Sequence, residues 1–468
     1  MDITLQFLGA AQNVTGSCYY LQANGTKLLV DCGFYQERHF RYRNWEPFVI
    51  PPKQIDVVLL THAHLDHCGL LPKLVKEGFK GRVICTQATA EIAHIVMADA
   101  AKIQEEDAKY KRKRHRREGR KSKHPVEPLF TIENAEECFG RFAPIRYNET
   151  VAVAEGIDAV FHDTGHILGA SAIQITIQHK GETRRVVFSG DVGCENKPIL
   201  KDPVLFEQAD YCLCESTYGD RLHDKSVDVK EQLREVINST HKAGGNVIIP
   251  SFAVERCQEL IYYLNELLLE DSIPHLMAFV DSPMAVKVTD VFKKHPELFD
   301  HEMMERLYEG DSPFELPGLN MVRNKNQSKA INNIRGTAII IAGSGMCTGG
   351  RIKHHLVNNI TQPENTILFV GYQAVGTLGR QLIEGKKEVR ILGSIMPVKA
   401  RIAEIRGFSA HGDRDELVQW LSGFKEAPRH VFVTHGEENA SQRFAEFLAE
   451  KTGWPTSVPE YQQEVILD

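Results

Sequence analysis

The segment Thr61-His62-Ala63-His64-Leu65-Asp66-His67 gathers three imidazoles and a carboxylate directly after the strand-like run Asp56-Val57-Val58-Leu59-Leu60. Imidazole and carboxylate are ligands for borderline divalent cations such as zinc. On a loop leaving a strand, His62 and His64 can converge on one ion, and the next pair, Asp66 and His67, can face a second. One cluster cannot complete two tetrahedral sites, so further ligands must come from afar. His166 and His435 each end a strand-like run beside glycine, where backbone can approach an ion closely. Asp191 follows a hairpin in Phe188-Ser189-Gly190-Asp191. Histidines elsewhere, such as His39, His94 and His354, read as structural or surface residues.

These side chains need elements that hold them. The 468 residues are enough for two to four domain-sized cores. With 42% hydrophobic and 25% charged residues, the composition is that of a soluble globular enzyme. It argues against a disordered chain, a collagen-like repeat and a small disulfide scaffold. No stretch approaches the roughly 20 apolar residues of a membrane span. The start, Met1-Asp2-Ile3-Thr4-Leu5-Gln6, lacks the features of a signal peptide and alternates like an edge strand. The ten cysteines are scattered with no CxxC pair, which predicts reduced thiols and a cytoplasmic protein.

The first 210 residues read as short strands joined by turns, among them a period-two hairpin over 171–188, with a helix over 91–117. From 211 to 395 the rhythm changes to a buried β run, a Gly/Ser turn and a helix. It occurs at 246–269, at 337–345 and at 366–373, and is the βα unit of a parallel sheet. The tail from 396 returns to an αβ style in which two strand-like runs lead to His411 and His435. Net charge is −7, but residues 109–123 hold ten Lys/Arg and one acid, a local +9, which leaves −7 − 9 = −16 on the rest. A basic segment on an acidic body can contact phosphate; the plainer reading is a solvated helix face or loop.

With these motifs in view, the sequence resembles the metallo-β-lactamase superfamily: Asp31, His62-x-His64-x-Asp66-His67, His166 and Asp191 match its first four motifs in order. It further resembles the β-CASP nucleases. Glu215 in Cys214-Glu215-Ser216-Thr217 matches their motif A, His411 in Phe408-Ser409-Ala410-His411 motif B, and His435 in Val433-Thr434-His435-Gly436 motif C. A histidine in motif C is typical of the RNA-directed branch, and the nearest resemblance is to the group that includes the endonuclease subunit of the pre-mRNA 3′-end cleavage factor. Compared with many relatives, the chain shows no N-terminal KH extension and ends soon after His435.

The resemblance implies an αββα sandwich built from residues 1–210 and 396–468, with a parallel-sheet β-CASP domain inserted at 211–395 and the active site in the cleft. It implies two Zn²⁺ per chain, one held by His62, His64 and His166, the other by Asp66, His67 and His435, with Asp191 bridging. The same ligands also accept iron or manganese. Asp31 would stand behind the ligand loop. Asp66, His411 and Glu215 would be the catalytic groups, His411 protonating the leaving 3′ oxygen and Glu215 orienting it.

Ser251, Arg256 (one turn into its helix), Ser344, Gly345, Thr377 and Arg380 sit at expected strand C-ends and are candidate phosphate contacts. None fits a P-loop or dinucleotide fingerprint. The expected function is a zinc-dependent ribonuclease acting on single-stranded RNA through a metal-activated hydroxide, leaving 5′-phosphate and 3′-hydroxyl ends. Two alternatives are a small ester or thioester hydrolase and a non-catalytic scaffold. The 244 positions between Asp191 and His435, enough for a domain closing over a long substrate, favour the nuclease. The filled ligand positions disfavour the scaffold.

Overall fold

A computed structural model describes residues 3–119, 126–224 and 228–468. It divides into two compact units: Met1–Asn196, Lys201–Leu222 and His411–Asp468 form the first, and Lys197–Leu200 with His223–Ala410 the second. Each is described by itself.

The first unit contains two seven-stranded sheets. In one, the order is Glu464–Leu467, Ile3–Phe7, Tyr19–Ala23, Thr26–Val30, Val57–Leu59, Arg82–Thr86 and Phe142–Ile145. In the other it is Thr456–Ser457, His430–Thr434, Tyr211–Glu215, Glu182–Phe188, Ser171–His179, Ile157–Asp163 and Thr150–Ala154. Period-two alternation puts Ile3, Leu5 and Phe7 on one face, where they join Ile157, Phe161, Ile173, Ile175 and Phe188 in a shared buried cluster. Ala172, Val187, Cys212 and Val433, on the far face of the second sheet, pack with Leu417, Trp420, Leu421, Phe444 and Leu448 of the helices Arg414–Leu421 and Glu438–Thr452. Helices Leu71–Lys76, Gln87–Glu118 and Ile132–Phe139 flank the first sheet. This is the αββα arrangement expected.

Parallel pairing decides where the chemistry emerges. Thr26–Val30 and Val57–Leu59 run parallel, so Asp31 and the His62–His67 loop leave the sheet at the same edge. Tyr211–Glu215 lies between Glu182–Phe188 and His430–Thr434, parallel to both, so Asp191, Glu215 and His435 do likewise. A chain reversal would have sent one of them to the opposite end.

The second unit is built on a six-stranded sheet in the order Leu319–Met321, Met277–Asp281, Ala338–Ala342, Val247–Pro250, Thr366–Phe369 and Arg401–Glu404, parallel throughout. Three of its inner strands, Val247–Pro250, Ala338–Ala342 and Thr366–Phe369, are nearly continuous apolar runs, as burial on both faces requires.

The structure corrects three expectations. Ile3–Phe7 is not an edge strand, because Glu464–Leu467 pairs with its outer side; the alternation only reported one buried face. Tyr211–Leu222 belongs to the first unit, since Tyr211–Glu215 is an interior strand of its second sheet. Residues 396–410 belong to the second unit, because Arg401–Glu404 completes the parallel sheet. None of the ten cysteines forms a disulfide, and no helix among the described residues is long and apolar enough to cross a membrane. Of the basic run, Arg120, Lys121 and Lys123 lie outside the described residues.

Candidate active site

Two sets of donor atoms meet at the strand ends of the first unit. In the first, His64 Nδ1 lies 3.1 Å from His62 Nε2 and 3.2 Å from His166 Nε2. Asp191 Oδ2 lies 3.3 Å from both of those Nε2 atoms. In the second, His67 Nε2 lies 3.0 Å from His435 Nε2 and 3.3 Å from Asp191 Oδ1. Asp66 Oδ2 is 3.8 Å from His435 Nε2. Asp191 thus gives one oxygen to each set.

The partners behind the rings settle what the facing nitrogens carry. Asp31 Oδ2 accepts from His67 Nδ1 at 2.7 Å. The Thr217 hydroxyl donates to the His435 carbonyl and is left to accept from His435 Nδ1, both at 3.1 Å. The Thr61 hydroxyl, spent on Asp31, accepts from His62 Nδ1 at 3.1 Å. The Nε2 lone pairs therefore point into the site. Lone pairs at such separations need a shared proton or cation between them, and there are more acceptors than protons could bridge. Asp191 Oδ1 is buried without a hydrogen-bond partner. Ligands about 2.0–2.1 Å from zinc in a tetrahedron stand about 3.3 Å apart, which is the spacing found in the first set. The residues fit two divalent cations.

Electrostatics agree. Burial pushes His62 down to about 3 and His166 well below its usual range, so both are the neutral imidazoles a metal requires. Burial also works against charge on Asp191, but His435, His67 and His62 outweigh it and hold the carboxyl well below the usual range. His67 is likewise opposed by burial, yet Asp191 and Asp31 lift it well above the ordinary value. A cation replacing its proton would satisfy the same carboxylates.

Glu215, fully buried, accepts from the Val192 N–H at 2.7 Å and places both oxygens 3.1 Å from His411 Nδ1. Burial opposes charge on His411; Glu215, then Asp191, overcome it and raise the group to about 9. Cations on the neighbouring donors would draw that value back towards neutrality, where a proton donor works best.

The ligand loop is held by groups the sequence motifs did not single out. Gly33 is one: a Cβ there would lie 1.6 Å from the Asp66 carbonyl oxygen. That carbonyl accepts from the Ser17 N–H at 2.8 Å, and the His67 carbonyl from the Cys32 N–H at 2.8 Å. Thr61 and Thr217 set imidazole tautomers. For Thr61 and Gly33 the signals were present, a threonine beside a histidine and a glycine in Asp31-Cys32-Gly33, but such turns are common; Thr217 has no histidine beside it in the sequence. His435 has φ +49°, a strained value held by its N–H bond to the Ala10 carbonyl.

The six candidate phosphate contacts lie in the second unit and are largely engaged there. Ser251 donates to the Phe252 carbonyl. Arg256 is the first residue of its helix Arg256–Leu269, not one turn in; it is buried, paired with Glu259 and lies over the Phe408 ring. Ser344 Oγ accepts from the Thr348 and Gly349 N–H groups. Gly345 abuts the Phe252 ring. Thr377 caps the helix Leu378–Ile383, and Arg380 pairs with Glu384. Their expected place at strand C-ends is observed, because three neighbouring parallel strands end there. Arg380 meets Glu384 through Nε alone and is the more exposed of the two charged side chains among the six.

A two-sheet sandwich with a shared-carboxylate pair of donor sets at its strand ends defines a metallo-hydrolase. Known proteins agree. Residues 12–237 match the metallo-beta-lactamase superfamily, residues 257–382 the Beta-Casp domain, and residues 395–459 the Zn-dependent metallo-hydrolase RNA specificity domain. The chain is 39% identical over 441 residues to Ribonuclease TTHA0252 of Thermus thermophilus, covering 94% of this chain and 95% of that one. It is 31% identical over 470 residues to Transcription termination factor FttA of Methanocaldococcus jannaschii, covering 98% and 70%. A crystal structure of a protein of unknown function from Enterococcus faecalis V583 shares the fold over both full chains, with TM-score 0.55 and 13% identity. The chain belongs to the β-CASP family of metal-dependent ribonucleases within the metallo-β-lactamase superfamily.

Proposed function

We propose that this protein hydrolyses phosphodiester bonds of single-stranded RNA with two zinc ions per chain, leaving 5′-phosphate and 3′-hydroxyl ends. The observation that carries the reading is the meeting of seven ligand side chains in two sets bridged by Asp191, beside the Glu215–His411 pair. His62, His64 and His166 would hold one ion and Asp66, His67 and His435 the other. When bound, such a pair supplies Lewis acidity and makes the attacking water acidic enough to ionise near neutral pH.

The chain's own residues do the rest. Asp31 and Thr61 hold His67 and His62 in the ligating tautomer, and Thr217 does so for His435. Glu215 orients His411, whose Nε2 proton passes to the 3′ oxygen as the P–O3′ bond breaks. Backbone groups at the strand C-ends of the second unit, near Ser251, Ser344, Gly345 and Thr377, are the candidates there for phosphate contact.

The test is incubation of the zinc-loaded protein with internally labelled and 5′-labelled RNA beside DNA of matched sequence. Metal-dependent RNA cleavage with 5′-phosphate products supports the reading. Turnover of thioesters with intact RNA would favour the small-ester alternative, and metal binding with neither activity would favour the scaffold.

A further inference from the structure

The helix Gln87–Glu118 is built in two halves. Its first part is anchored by Ala88, Ile92, Ala93, Val96, Met97 and Ala101, and Ala108 is its last buried residue. From Lys109 to Gly119 every residue is exposed except His115, which is half-buried. Lys109 to Glu118 adds about 15 Å of helix at 1.5 Å per residue. Tyr110, 63% exposed, is the single aromatic or large aliphatic side chain on that stretch.

Lys109, Lys111, Arg112, Lys113, Arg114, Arg116 and Arg117 project from it, with Glu118 as its only acid. At 100° per residue these cations occupy most of the circumference rather than one stripe. Neighbours three and four apart, such as Lys109 and Lys113 or Arg112 and Arg116, are of like charge and work against the helix. Among the described residues, Arg114 alone of the seven has an ion pair, at 3.9 Å to Glu118. Interaction with the helix's C-terminal dipole accounts for cations in the last turn, Arg116 and Arg117, and not for those before it.

We infer that this projecting half-helix, six of whose seven cations lack an ion pair among the described residues, is a second RNA-binding site that holds the phosphate backbone of the substrate away from the metal centre. The inference rests on the ribonuclease reading above. It follows from two features. Apart from the basic run the chain carries −16, a field that repels a polyanion, so capture must come from a local positive element. And an acidic protein partner would call for apolar or aromatic residues at the centre of the contact, where this helix offers Tyr110 alone. Phosphates strung along a flexible strand can meet cations on several sides of a helix; a flat protein face cannot.

The test compares the zinc-loaded wild type with a variant carrying Lys109→Gln, Lys111→Gln, Arg112→Gln, Lys113→Gln and Arg116→Gln, substitutions that keep helix propensity. Two RNAs are used: a long single strand, and an oligonucleotide just long enough to cover the metal centre. Affinity is measured across a salt series. For the long RNA, Kd should rise at least about tenfold at low salt, and the log–log salt slope should flatten by up to about 3.5, from about 0.7 per lost phosphate contact. Turnover of the short RNA should be unchanged. A companion variant with Lys109→Arg, Lys111→Arg and Lys113→Arg should behave as wild type, since charge alone is at issue. Equal long-RNA affinity and slope in wild type and Gln variant would overturn the proposal. So would weakened binding of poly-glutamate with RNA binding intact, which would assign the helix to an acidic protein. A wild type that cleaves neither RNA would refute the ribonuclease reading instead.

Discussion

Replacing His411 by alanine separates proton donation from metal binding. Seven ligand side chains already make up the two donor sets, and His411 Nδ1 is committed to Glu215 at 3.1 Å, while its distance to Asp191 Oδ2 is 3.9 Å. Removing it should leave two equivalents of metal in place. On the proposed reading, what it removes is a proton for the departing 3′ oxygen. An oxygen of that kind leaves as a base comparable with hydroxide, whose conjugate acid has a pKa of about 15.7. Loss of a positioned acid costs 10²–10⁴-fold, or about 2.7–5.4 kcal/mol at 1.36 per decade. A bridging 3′ sulfur leaves as a thiolate, whose conjugate acid has a pKa near 8.5, and needs no proton. The ratio of wild-type to His411→Ala turnover should therefore fall from 10²–10⁴ on ordinary RNA to within a few-fold on the 3′-sulfur substrate, measured in single-turnover assays on metal-quantified protein. Glu215→Gln should show the same pattern at about 10–100-fold, the usual cost of losing an orienting partner. Two results would refute the assignment. Loss of one metal equivalent in His411→Ala makes it a ligand. An undiminished defect on the sulfur substrate makes it a phosphate clamp.

Purified protein should carry about two transition-metal ions per chain, and Asp191→Asn should lose more metal than His411→Ala, since Asp191 alone serves both donor sets; elemental analysis finding under about half an ion with activity intact would rule out the two-ion site. Asp31→Asn should weaken metal retention about 10–100-fold in chelator competition, because His67 Nδ1 loses its anionic acceptor; retention equal to wild type would show that Asp31 serves only the turn. Asp163 gives a pH test of stability: burial lifts it to about 7, against the Gly165 N–H bond it accepts. Because the folded protein holds this proton more tightly than the unfolded chain, stability falls as pH rises from about 4 to 7, by at most about 4 kcal/mol for three units. Asp163→Asn should thus gain thermal stability over wild type at pH 8 and little at pH 4.5, and an equal difference at both would contradict the assignment.

The residues of the two donor sets were legible because the chemistry of such donors restricts residue type and strand ends restrict position. Three imidazoles and a carboxylate after a buried strand have few other uses, and glycine beside His166 and His435 distinguished them from fourteen other histidines. The βα rhythm also survived, since strands buried on both faces must be continuous apolar runs. The phosphate candidates were read less well. Arg256 and Arg380 stood at the right strand ends, but Glu259 and Glu384, three and four residues on, claim them; position along a helix does not say which neighbour a long side chain will choose.

By itself, then, the sequence determined composition-level class, the residue types of the donor sets and the βα rhythm of the second unit, all of which depend on residue type and local periodicity. Tertiary structure alone decided the rest. Whether Ile3–Phe7 was an edge depended on Glu464–Leu467, more than 450 positions away. Which unit owned Tyr211–Glu215 depended on a parallel pairing with His430–Thr434. That Gly33 must lack a side chain depended on the Asp66 carbonyl folding back against it, and that Thr217 should set the tautomer of His435 depended on a contact across 218 residues. Each is a long-range contact, and a long-range contact is a property of the packed core, in which distant segments compete for the same space, rather than of any segment alone.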